Sequence, residues 1–166
     1  MKKEKKINYS EELEKHYKVI QRKLYLIWFF YLIFPICFFL VSYSLKKNSF
    51  TNLVENYEEG IFRIIQYILF FIGVGIAFFY DGITNFLWKK NFQKDISEEK
   101  LLIRYKFYLF YILFILDLIG LSGFIGFLIC GNIMWLEIFV ILNVFLVFKC
   151  FPSFPRFLNM IYKKTE

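Results

Sequence analysis

The sequence predicts an all-α polytopic membrane protein, with four transmembrane helices arranged as two antiparallel hairpins and both the N- and C-termini cytoplasmic. Three observations carry this prediction. The first is a conflict within the composition: of 166 residues, 58% are hydrophobic and 21% charged, with a mean hydropathy of +0.50. A chain this apolar is not disordered, and it suits a water-soluble globule only if its charges are spread evenly. The second is that they are not. Charged residues cluster in short blocks, separated by apolar runs of 18 to 24 residues that are long enough to cross a bilayer. The third is the placement of Lys and Arg, which orients the runs.

The four spans are about 24–44, 61–80, 107–130 and 134–151. At about 1.5 Å per residue each reaches across a hydrocarbon layer of about 30 Å, the fourth only just. None alternates apolar with polar residues as barrel strands do, so helices are expected. The first span is too long and starts too far into the chain for a signal peptide, and no small-residue cleavage site follows it; it reads as an uncleaved helix. The remaining segments are a cytoplasmic amphipathic stretch over 1–23, a cytoplasmic loop over 81–106 and a cytoplasmic tail over 152–166, all within one membrane domain.

Lys and Arg number eight before the first span, three from Lys46 to Arg63, six from Lys89 to Lys106, none between spans three and four, and four from Lys149 onward. Rich segments alternate with poor ones, and the positive-inside rule places the rich ones in the cytoplasm. The net charge of +7 is therefore a topology signal, and no nucleic-acid partner is expected. Trp28, Trp88 and Trp135 fall near the span ends, as interfacial anchors would.

Ser10-Glu11-Glu12 and Ser97-Glu98-Glu99 offer a hydroxyl N-cap followed by acids in the first turn. Leu13, Tyr17, Ile20 and Leu24 follow the first at helical spacing. A helix is expected from about Ser10 into span one, and another from about Ser97 through span three. Gly131-Asn132-Ile133 forms a minimal turn whose Gly and Asn tolerate left-handed angles, making spans three and four an antiparallel hairpin. Asp81-Gly82 reads as the end of span two.

Few polar residues lie within the spans. Asp117 stands near the middle of span three. A carboxylate there costs roughly 2.5 to 3.5 kcal/mol on insertion scales, against roughly 0.3 to 0.6 gained by each central Leu, Ile or Phe. Span three has sixteen of those, so it inserts, with Asp117 turned into the bundle. Counted from the cytoplasmic ends, Asn143 of span four comes within about two residues of the same level and is the expected hydrogen-bond partner. Nearer the outer surface, Arg63 of span two and Glu137 of span four reach similar depth and are expected to form a structural ion pair. Gly120, Gly123 and Gly126 on span three, and Gly73 with Ala77 on span two, mark close helix packing. Pro35 is expected to kink span one.

Asp117 with Gly123 six residues on is similar to the ion-carrying helix of rotor-ring proteolipids. The likeness covers one helix, and the first span has no glycine where those rings are glycine-dense, so no rotor activity is implied. Cys37, Cys130 and Cys150 lack metal-ligand or redox spacing, and His16 is the lone histidine; no cofactor, metal or disulfide is expected. Walker, GxSxG and HExxH motifs are missing, so no enzyme is expected. A chain with only one alanine, Ala77, and 24 phenylalanines fits an A/T-rich genome, and the expected location is a bacterial inner membrane. The function implied is that of a structural or accessory membrane component acting through helix–helix contacts, with the lipid bilayer and a second copy or another membrane protein as partners. The alternative is a small proton- or cation-linked transporter or channel using Asp117.

Overall fold

The computed structural model describes residues 11–48, 60–91 and 98–162, all of them in helices or short connections, with no strand among the described residues. The helices are α1 (Glu11–Lys47), α2 (Ile61–Phe78), α3 (Tyr80–Asn91), α4 (Glu98–Cys130), α5 (Ile133–Lys149) and α6 (Phe154–Tyr162). Ser10 and Ser97, the expected N-caps, lie outside the described residues.

α1 and α4 run 37 and 33 residues, about 55 and 50 Å at 1.5 Å per residue. Both exceed a hydrocarbon core of about 30 Å, so each carries a span and an extension beyond it. On the α1 extension Leu13, Tyr17 and Leu24 are buried and Ile20 packs beside them, the stripe that their spacing predicts. α1 continues as a helix through Pro35. α1, α2 and α4 are each long and apolar enough to cross a membrane; α5 joins them as a fourth only together with α6, from which it bends by 81°.

α4 is the central helix, packed against α1, α2, α3 and α5. Contacts of Tyr17 with Tyr105 and Phe38 with Phe124 run α1 and α4 in the same direction. Contacts of Phe70 with Trp135 and Tyr80 with Cys150 do the same for α2 and α5, which run the other way. The arrangement departs from two hairpins in one respect. α4 and α5 pack as a hairpin, but α1 and α2 barely touch, and each packs on α4 instead. α2 buries only Gln66 and Gly73, and its inward face is taken up by α4 and by Trp135 and Phe139 of α5.

The turn between α4 and α5 follows its chemistry. Gly131 takes φ 69°, and the Asn132 side chain caps α5 by accepting from the Met134 N–H at 3.0 Å. Lys46 Nζ donates to the Gly131 carbonyl at 3.2 Å, tying the end of α1 to this turn. Halfway down, Trp28 Nε1 donates to the Val147 carbonyl at 2.8 Å, so this residue joins α1 to α5.

Two helices occupy segments that the sequence assigned to a loop and a tail. α2 ends at Phe78 and α3 starts at Tyr80, with Asp81 in its first turn, where the helix dipole favours an acid. Asp81-Gly82 thus begins a helix as well as following a span. Pro152 cannot extend α5, and Ser153 caps α6, its hydroxyl accepting from the Arg156 N–H at 3.4 Å. Pro155 sits in the first turn, where its missing N–H goes unused. Phe154 and Phe157 pack on Tyr17, and Phe157 also on Tyr105, so α6 folds back beneath the start of α1. The start of α1, the first turns of α4, α3 and α6 therefore gather at one end, here the basal end; the 131–132 turn marks the other.

Candidate functional site

The polar centre of the bundle is built from α4, α5 and α1. Asn143 Nδ2 donates to Asp117 Oδ1 at 3.3 Å. Asn143 is fully buried, whereas Asp117 is half-buried, and Asn143 Oδ1 has no hydrogen-bond partner. The amide fits because residue 120 is glycine: a Cβ there would lie 2.8 Å from Asn143 Nδ2 and 3.3 Å from Pro35 Cβ. Asp117 and Gly120 are one turn apart, so the carboxyl that the amide binds and the notch that admits it lie on one face of α4.

The structure brings Asp117 and Asn143 together but not Arg63 and Glu137. Phe70 packs on Trp135 and Phe139, with ring centroids 5.3 and 6.0 Å apart, which sets Phe70 level with Glu137. Arg63 lies seven residues earlier on a parallel helix, about 10 Å nearer the turn end. The expected ion pair is therefore out of register. Arg63 is exposed on the first turn of α2, and Glu137 is half-buried on α5 with no ion pair among the described residues.

A second polar centre, at the basal end, was not singled out by the sequence. Tyr80 Oη and Cys150 Sγ are 3.1 Å apart, and Arg156 Nη2 donates to Tyr80 Oη at 3.4 Å. Lys149 Nζ lies 5.8 Å from the centre of the Tyr80 ring. Beside this cluster α3, α4 and α6 enclose a cavity of about 730 Å³, whose lining includes Arg156, Lys89, Asp81, Asn85 and Asn159. Lys89, Lys149 and Arg156 all belong to the basic segments that orient the chain. The sequence cue to this centre is Ser153 before Pro155, a helix start that sets Arg156 on a basal helix. Among the described residues, no group of His, Cys, Asp and Glu side chains gathers as metal ligands.

No family model matches the chain, and neither does any curated protein or solved structure. The three to four apolar helices suggest a membrane-embedded protein.

Proposed function

We infer that the chain is a multi-pass protein of a bacterial inner membrane, its basal end in the cytoplasm, serving as a structural or accessory component through helix–helix contacts and without enzymatic activity. The observation that carries this reading is how Asn143 is held. It is fully buried, bonded to Asp117 and lodged over Gly120 against Pro35, so the polar pair joins α4 to α5 beside α1. Such bonds fix which helices pair and in what register. The basal cavity and the groove beside Trp28 are both lined by other residues. The outward faces of α1 and α2 carry exposed Phe29, Phe30, Ile64, Ile68 and Phe71, surfaces for lipid, a second copy or another membrane protein.

One observation favours a second reading, a proton- or cation-linked transporter or channel. Asn143 Oδ1 is buried and without a partner in the amide that binds the Asp117 carboxyl, so an unused acceptor lies next to an intramembrane acid. Asp117→Asn separates the two in proteoliposomes. The accessory reading expects proton and cation flux equal to that of the wild type, with weakened assembly. Loss of a flux that the wild type supports would establish the transporter instead.

A further inference from the structure

Among the described residues, the lining of the basal cavity holds more positive charge than its carboxylates balance. Arg156 stays charged at any pH a cell reaches and presents five N–H donors. One reaches Tyr80 Oη, and no carboxylate pairs with the guanidinium among the described residues. Lys89 lines the same cavity from α3, and among the described residues Asp81 is the one acid in the lining, so two cations face one anion there. Lys149 adds a third cation at the Tyr80 ring. A partly buried guanidinium with so little counter-charge is an anion site in waiting, because desolvation costs are recovered when an anion accepts its remaining donors.

The shape and level of the cavity narrow the anion. Its volume of about 730 Å³ lies in the range of small-molecule sites. Arg156, Asn85 and Asn159 supply polar lining, while Trp88, Pro155 and Met160 supply apolar wall, so the occupant has a polar head and an apolar continuation. Tyr80 follows the last residue of α2 by two positions, and α6 turns 81° from α5 after Lys149. This is where the apolar helices end, the level at which headgroup phosphates lie. Arginine is suited to phosphate because its planar fork binds two oxygens at once.

We propose that the basal cavity binds the phosphate of a phospholipid headgroup, with Arg156 as principal ligand and Lys89 as second cation. This rests on the membrane reading and is independent of what Asp117 does. The test follows the intrinsic tryptophan fluorescence of the full-length protein in nonionic detergent, Trp88 being in the cavity wall. The protein is titrated with short-chain phosphatidylglycerol, with diacylglycerol of the same chain length and with inorganic phosphate. Phosphatidylglycerol should give a saturable response, and Arg156→Gln should weaken it at least tenfold. Arg156→Gln also removes the Tyr80 bond, so Lys89→Glu, at an exposed position, provides a second variant and should weaken binding several-fold with the circular dichroism unchanged. Saturation by inorganic phosphate at the same concentration would keep the anion site but assign it to the free ion. Equal affinity in wild type and Lys89→Glu, or equal saturation by diacylglycerol, would overturn the proposal. Membrane fractionation tests the underlying reading separately.

Discussion

A methyl group added to Gly123 would lie 2.6 Å from Phe139 Cβ, so α4 and α5 meet at this pair with only a glycine's clearance. Phe139 also meets Gly73 of α2, where an added Cβ would overlap the ring edge at Cε1 and Cδ1. One phenylalanine thus keys α5 to α4 and α2 together, and each contact depends on the lack of a side chain opposite.

Gly123→Ala should therefore destabilise the bundle by about 1 to 3 kcal/mol, the usual cost of overpacking a filled site. The clash falls on Phe139 Cβ, which is fixed to the backbone of α5 and cannot swing aside. Gly75→Ala, where nothing lies within 4 Å of the added atom, should be neutral or slightly stabilising through helix propensity. Thermal unfolding of both variants in detergent measures the difference, and a similar melting temperature for the two would contradict this packing.

The Asp117–Asn143 bond should register in a double-mutant cycle with Asp117→Leu and Asn143→Leu. Leucine matches both side chains in size, so the interaction term reports mainly the polar contact. At 3.3 Å the bond is long, and a coupling of about 0.6 kcal/mol, the average for such bonds between membrane helices, is expected. The double replacement should cost less than the sum of the two single ones, because each single one leaves a polar group unpartnered among apolar neighbours. Additive effects would show that the two side chains do not interact.

What the sequence revealed, and what it hid, divides by physical cause. The long apolar stretches were readable because a bilayer's thickness sets their length, and the pairing of Asp117 with Asn143 was approachable because both depths can be counted from the ends of one tight hairpin. The same counting failed for Arg63 and Glu137. Their helices are joined through more than 50 residues, and small axial shifts, fixed by where Phe70 packs on Trp135 and Phe139, accumulate over that distance. α3 and α6 were missed because each is short and polar on one side, and what stabilises α6 is tertiary: Phe154 and Phe157 against Tyr17. The basal cavity follows from those two helices, so it was out of reach as well.

The turn between α4 and α5 offers a local test. Gly131 at φ 69° lies in the left-handed region, where a side chain costs roughly 1 to 2 kcal/mol. Gly131→Val should pay that cost in full, whereas Gly131→Asn should be milder, since asparagine tolerates the region. Asn132→Ala removes the cap on Met134 N and should cost about 1 kcal/mol. Denaturant unfolding should rank Gly131→Val as less stable than Gly131→Asn, and the reverse order would argue against a left-handed residue at 131.

The proposed orientation makes a prediction that the native cysteines cannot test alone. Cys150 is only 1% exposed, so an aqueous thiol reagent would fail to label it from either side. Asn132 and Asn159 are exposed at opposite ends of the bundle and offer better positions. In a Cys37→Ser, Cys130→Ser background that keeps Cys150, an impermeant maleimide applied to intact cells should label Asn132→Cys and leave Asn159→Cys unlabelled until the membrane is opened. The physical reason is the charge distribution. No Lys or Arg lies between Lys106 and Lys149, whereas the sequence segments 1–23, 81–106 and 149–166 carry 18 of the 21 basic residues, and translocating them is what the membrane resists. Labelling of Asn159→Cys alone in intact cells would place the basal end outside, and with it the cavity beside Arg156.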